Sequence, residues 1–129
     1  MTKTLFAEFT ALPGHEEKVA FLVQGLTERV REEPGNIAFL PFTRQEHPRR
    51  WFVFEQYVDD AAFEAHINAA YGAEFNEELA HHIVEEGSEL TWLHSADDAH
   101  FTAADLRPDD SRPRQLREPT ESNATFLAL

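Results

Sequence analysis

Apolar residues fall at every second position in four short stretches of this chain, and at every third or fourth position in the stretches between them. A period of two marks a strand with two faces; a period near 3.6 marks a helix with one apolar stripe. Residues 4–12 (TLFAEFTAL) alternate, with Leu5, Ala7, Phe9 and Ala11 on one face and Phe6, Glu8, Thr10 and Leu12 on the other. Pro13-Gly14 signals a turn. Over 15–33, Val19, Leu22, Val23, Leu26 and Val30 form one stripe, backed by Glu16, Glu17, Lys18, Glu28, Arg29, Arg31 and Glu32. This helix is expected to stop near Glu33, because Pro34 disfavours α geometry before it and Gly35 supplies a break. Residues 36–44 (NIAFLPFTR) read as a second strand. Pro41 has no N–H for a ladder, so an edge, a bulge or a bend is expected there. Residues 45–50 (QEHPRR) read as a polar hairpin loop.

The third strand, 51–57 (WFVFEQY), places Trp51, Val53, Glu55 and Tyr57 on one face and Phe52, Phe54 and Gln56 on the other. Asp59 or Asp60 suits an N-cap, since a short carboxylate accepts from the unpaired N–H groups of a first turn. Phe63, His66 and Ile67 follow at i, i+3 and i+4. His66 is thus a titratable group on a stripe otherwise built for burial. Residues 70–83 continue as helix, broken or kinked near Tyr71-Gly72, with Tyr71, Phe75 and Leu79 as the apolar side. Glu86-Gly87 ends it, and 89–94 (ELTWLH) is a fourth strand.

The order β-α-β-β-α-β predicts an α+β, ferredoxin-like domain: a four-stranded antiparallel sheet with its helices on one face. Its strands nevertheless carry large apolar groups on both faces. A lone copy would leave one oily face in water, so a homodimer with the sheets face to face is expected.

Charge and composition narrow the picture. The folded part is expected at 1–95, where seventeen acids face seven bases, so the acidity belongs to the domain. Residues 96–129 have no sustained periodicity and form a separate C-terminal tail. It is expected to be irregular, or to dock Phe126, Leu127 and Leu129 on the domain or a partner. A net charge of -13 argues against nucleic acid and anionic membrane, which both require a basic face. There is no Cys, so disulfides, thiolate nucleophiles and cysteine metal sites are excluded. MTKTLFAEFTALPG lacks the long apolar core of a signal peptide, and no apolar run reaches the roughly 18 residues of a membrane span. A cytoplasmic protein is expected. Phosphate-binding and dinucleotide-binding Gly-rich loops and the G-x-S-x-G elbow are missing.

AEFTALPG, a helix, REEPGN and then WFVFEQYVDDAAFEAH together resemble the antibiotic biosynthesis monooxygenase domain, over roughly residues 3–95. The resemblance implies a dimeric α/β barrel, in which the sheets of two subunits pack together. The family's chemistry is diverse. Some members oxidise aromatic polyketides or quinols with O2 and neither metal nor flavin, some degrade haem, and some have no known activity.

What the resemblance implies for the site is a cavity between sheet and helices, with His66 at the helix position that often faces it. The expected role of His66 is general base: removing a phenolic proton leaves an electron-rich anion able to reduce O2, and imidazole titrates near neutrality. A partly buried structural His is the competing reading. Glu55 is a candidate to orient His66 or bind a substrate hydroxyl, against a structural ion pair with Arg44 or Arg50. Asn36 is a candidate donor to a carbonyl oxygen, against turn duty. Phe9, Phe39, Tyr71, Phe75 and Trp92 are candidates for an aromatic cavity wall, against plain core. Haem is disfavoured, because the haem-degrading members use an Asn, a Trp and a His where this chain has Phe9, His66 and Asn76. Glu77 with His81 and Glu78 with His82 have i, i+4 spacing, but adjacent residues point about 100° apart and cannot converge on one metal ion. No metal and no tightly held cofactor is expected. The reading is a cofactor-independent monooxygenase using O2 on a quinol or other small aromatic substrate. The alternative is a dimer that binds small molecules or serves in stress response without catalysis.

Overall fold

The computed structural model describes residues 1–96. Four strands, β1 (Lys3–Thr10), β2 (Asn36–Arg44), β3 (His47–Tyr57) and β4 (Glu89–Leu93), form one antiparallel sheet in the order β2-β3-β1-β4. Helices α1 (Glu16–Arg31), α2 (Asp60–Ile67) and α3 (Ala70–Leu79) complete the α+β, ferredoxin-like arrangement. Each outer strand is reached by a helical crossover, so β3 sits between β1 and β2, and β1 between β3 and β4. No helix among the described residues is long and apolar enough to cross a membrane. The readings for 96–129 fall beyond Ala96, outside the described residues.

The sheet's alternation sorts side chains as the sequence pattern requires. Leu5, Ala7, Phe9, Val53, Glu55 and Tyr57 are buried toward the helices. Each apolar side chain buried in this way contributes about 1.5–3 kcal/mol. The opposite face carries Phe6 between Phe52 and Phe54, with ring centroids 6.0 and 6.4 Å apart in edge-to-face packing. Leu40 and Phe42, 40% and 56% exposed, extend that patch onto β2. At its corner Arg50 binds Glu8 and Glu85 at 2.9 Å each.

β2 is an edge strand, and Pro41 therefore costs the sheet no central ladder bond. Its register shifts between Asn36 and Ala38 and between Thr43 and Arg44. β3 begins at His47, so the expected 45–50 loop shrinks to a turn. The pairing of Arg44 with His47 carries the ladder almost to the tip.

α1 buries Val19, Val23, Leu26 and Val30. Acidic Glu16 and Glu17 lie in its first turn and Arg29 and Arg31 in its last, which suits the helix dipole. The Arg31 guanidinium donates twice to the Phe39 carbonyl, at 3.1 and 2.9 Å, and fastens the end of α1 to β2. Gly35 does not end this helix through a left-handed conformation, for only Gly14 has positive φ among the described residues. Gly35 serves close approach instead: a Cβ there would stand 2.4 Å from that of Ala62 on α2. The helical limb after β3 also differs from expectation. It breaks at Asn68-Ala69, with Ala69 extended at ψ 136°, and runs unbroken through Tyr71-Gly72. Asn is a poor helix former that ends α2, and the extended Ala69 redirects the chain so that Phe75 and Leu79 reach the core.

Candidate functional site

The covered face of the sheet carries one cross-strand rung with chemistry in it. Phe39 pairs with Glu55, Glu55 with Leu5, and Leu5 with Trp92, across all four strands. Directly opposed residues project to the same side. α2 lies over this rung. Asp59 caps α2, its side chain accepting from the Ala62 N–H at 2.8 Å, and the helix then buries Phe63 and His66.

The His66 ring is fully buried. Its Nδ1 lies 3.1 and 3.2 Å from the two carboxylate oxygens of Glu33, and its Nε2 lies 3.7 Å from Glu55 Oε1. The first distance is a hydrogen bond; the second exceeds hydrogen-bond reach but couples the charges. Phe39, Tyr57 and Phe63 surround the imidazole, with ring centroids 6.3, 5.0 and 6.2 Å away. Glu33 arrives because the turn after α1 presses on α2 at Gly35. Val58 N–H donates to the Gly35 carbonyl at 2.9 Å and holds that turn in place. The Tyr71 hydroxyl donates to Glu33, and the Arg29 guanidinium sits 4.4 Å over the Tyr71 ring.

Glu55 is fully buried, and no arginine among the described residues reaches it. The expected ion pair with Arg50 does not form, since Arg50 lies on the opposite face with Glu8 and Glu85. Arg44 stacks over Phe52 at 5.0 Å. The Tyr57 hydroxyl donates to Glu55 Oε1 at 2.7 Å, and Glu55 Oε2 has no hydrogen-bond partner among the described residues. Burial pushes the Glu55 carboxyl up from the ordinary 4.5 to about 7; His66 and the Tyr57 hydrogen bond pull it partway back, and Glu33 adds to the rise. Burial, then the charge of Glu55, drives the Tyr57 hydroxyl far above its usual range. Tyr71 is raised as well, by desolvation and by its bond to Glu33. A buried carboxyl raised to about 7 thus stands 3.7 Å from an imidazole, close enough for a charge on one to favour the opposite charge on the other.

The other candidates scatter. Phe39 and Tyr71 belong to the His66 surroundings. Phe9 stacks on Trp51 at 6.1 Å in the main core, and Phe75 is buried in the same cluster. Asn36 donates through Nδ2 to the Ala38 and Gln56 carbonyls at 3.0 and 3.4 Å, so it staples the first bulge of β2. Trp92 is 49% exposed and meets the site through Phe63, edge to face at 5.1 Å. His82 lies against His15 at 2.9 Å and Glu78 at 3.0 Å. Among the described residues no three His, Asp or Glu form a metal-holding group.

Sequence reasoning missed Glu33 and Tyr57. Tyr57 was within reach, because it shares strand parity with Glu55 two residues away. Glu33 looked like a helix-end residue, and nothing local ties it to a histidine 33 positions on.

The family model for antibiotic biosynthesis monooxygenase matches residues 4–82. No curated protein matches the chain. PA3566 from Pseudomonas aeruginosa is 26% identical with a TM-score of 0.67, covering 73% of this chain and 93% of its own. A structure described as an antibiotic biosynthesis monooxygenase is 21% identical with a TM-score of 0.68, covering 74% and 98%. Rv0793 from Mycobacterium tuberculosis shares the fold at 16% identity with a TM-score of 0.70, covering 77% and 99%. The matched span runs from β1 past α3 and includes Glu33, Glu55, Tyr57 and His66, while Trp92 lies beyond it. The chain belongs to the antibiotic biosynthesis monooxygenase family, which supports a monooxygenase-like function in general terms.

Proposed function

We propose that this protein oxygenates a quinol or other small aromatic substrate with O2, without a tightly held cofactor, and that His66 is the general base. One observation carries the reading: a fully buried imidazole held between two carboxylates inside a wall of rings. The imidazole takes the phenolic proton. The anion so formed is electron-rich enough to pass an electron to O2, and the substrate supplies the electrons for the whole reaction. One oxygen atom stays in the product and the other leaves as water. Glu55, its carboxyl raised to about 7 and 3.7 Å from Nε2, offsets the charge that His66 gains with the proton. Its Oε2, without a partner among the described residues, is an acceptor that a substrate hydroxyl satisfies.

Oxygen uptake with a panel of hydroquinones tests this. His66→Gln is expected to lower the rate at least about 100-fold with circular dichroism unchanged. Equal rates for wild type and variant overturn the base assignment.

The second reading is a dimer that binds a small aromatic without transforming it. The position of His66 between two carboxylates favours it too, because that geometry also suits a structural strut. Binding without oxygen uptake would select it. In either case we propose that a second copy covers the patch of Phe6, Phe52, Phe54, Leu40 and Phe42, and that the protein works in the cytoplasm. Light scattering is expected to give twice the protomer mass for wild type and the protomer mass for Phe52→Asp. A protomer mass for wild type at micromolar concentration ends the dimer proposal.

A further inference from the structure

A cleft of about 600 Å3 opens at the other end of the covered face from the main core. It is lined by Thr2, Lys3 and Thr4 at the start of β1, by Asp59 and Asp60 at the start of α2, and by Trp92 and His94 at the end of β4. That volume falls in the range of about 300–1,000 Å3 typical of small-molecule sites. Trp92, 49% exposed, is part of that lining, and the Lys3 ammonium stands 5.0 Å over its ring and 3.2 Å from Asp60. An exposed indole beside an ammonium–carboxylate pair suits a flat ring bearing hydroxyl groups: the indole packs against the ring, and a hydroxyl can donate to Asp60 and accept from Lys3.

The cleft does not lie on the imidazole, but it is joined to it. Trp92 touches Phe63 at 5.1 Å, and Phe63 touches His66 at 6.2 Å and Tyr57 at 5.5 Å. Below these rings, Trp92, Leu5 and Glu55 share the cross-strand rung. Phe63 therefore stands between an open aromatic surface and a buried base. Its ring meets Trp92 and Tyr57 edge to face and His66 at a tilt, in a cluster with Leu5. A phenyl ring has no hydrogen bond to break when it turns.

We propose that the cleft is the seat of a hydroxylated aromatic substrate and that Phe63 is the gate through which that substrate reaches His66. The proposal rests on the reading of His66 as the reacting centre. It divides the labour: Trp92 and Lys3 choose the ring, Phe63 admits it, and the His66–Glu55 pair handles the proton. It also gives the half-exposed Trp92, a candidate for an aromatic cavity wall, a role away from the imidazole.

The test separates seating from turnover. 1,4-Naphthohydroquinone is titrated into the full chain under argon, and the two indole N–H resonances are followed by NMR, with Trp51→Phe assigning them. The Trp92 resonance is expected to move saturably while that of Trp51 stays. Trp92→Leu is expected to weaken binding at least tenfold with the unfolding midpoint unchanged. In air, Phe63→Trp is expected to lower the rate of oxygen uptake at least tenfold while seating under argon keeps its affinity. Seating without any oxygen uptake supports the cleft and overturns the oxygenase reading instead. A Trp92 resonance that stays put at saturating ligand overturns the cleft, with or without uptake. Equal uptake rates for wild type and Phe63→Trp overturn the gate.

Discussion

The two ends of the covered sheet face use burial in opposite ways. Under α1 and α3 the cluster is apolar throughout: Phe9, Val19, Val23, Val30, Val53 and Leu79 close on one another. Under α2 the cluster shrinks to Leu5, Tyr57 and Phe63, and the remaining space holds His66 and Glu55, with Glu33 against them. Both ends come from the same strands with the same alternation. A chain shaped for stability alone would place Leu at 55 and 66, since apolar groups of similar volume commonly equal or outdo a buried charged pair. The α2 end gives up that stability and obtains a carboxyl lifted to about 7 beside an imidazole. Departures of this kind concentrate where function is.

The largest expected effect belongs to the dry end. Phe9→Ala removes a fully buried ring stacked on Trp51 and is expected to cost about 3–5 kcal/mol in urea unfolding. A loss below about 1 kcal/mol would erase the contrast between the ends. At the polar end the sign reverses. The folded Glu55 carboxyl titrates near 7 and its unfolded counterpart near 4.5, so the fold keeps a proton that the unfolded chain has released. Stability attributable to this group therefore falls as pH rises from about 4.5 to about 7, and the penalty is complete above that window. Glu55→Gln carries no charge and can still accept from Tyr57. It is expected to raise stability at pH 8 by about 1–3 kcal/mol, with a smaller gain at pH 5.5. A loss of stability at pH 8 would mean that the ionised carboxylate is held better than its burial implies.

The smallest effect sharpens the comparison. Tyr57→Phe removes the donor that lowers the Glu55 pKa. The Glu55 carboxyl is expected to titrate higher, at a stability cost of about 1 kcal/mol. Carbon NMR of the carboxyl reads the shift directly, and an unchanged titration would show that Tyr57 is mere packing.

The sequence by itself determined the element order, the two-faced strands, the apolar stripe of α1 and the presence of an imidazole on a buried helix face. These are local matters: a period of two or 3.6 says which way a side chain points, and Pro34 and Asp59 say where a helix stops and starts. Only the tertiary structure decided which pointing groups meet. The strand order β2-β3-β1-β4 put Phe39, Glu55, Leu5 and Trp92 on one rung, although they are distant in the chain. The close approach at Gly35 brought Glu33 to His66, and the break at Asn68-Ala69 sent Phe75 to the core. Periodicity fixes direction within an element; neighbours across elements follow from which faces bury the most surface together, and that is a property of the whole fold.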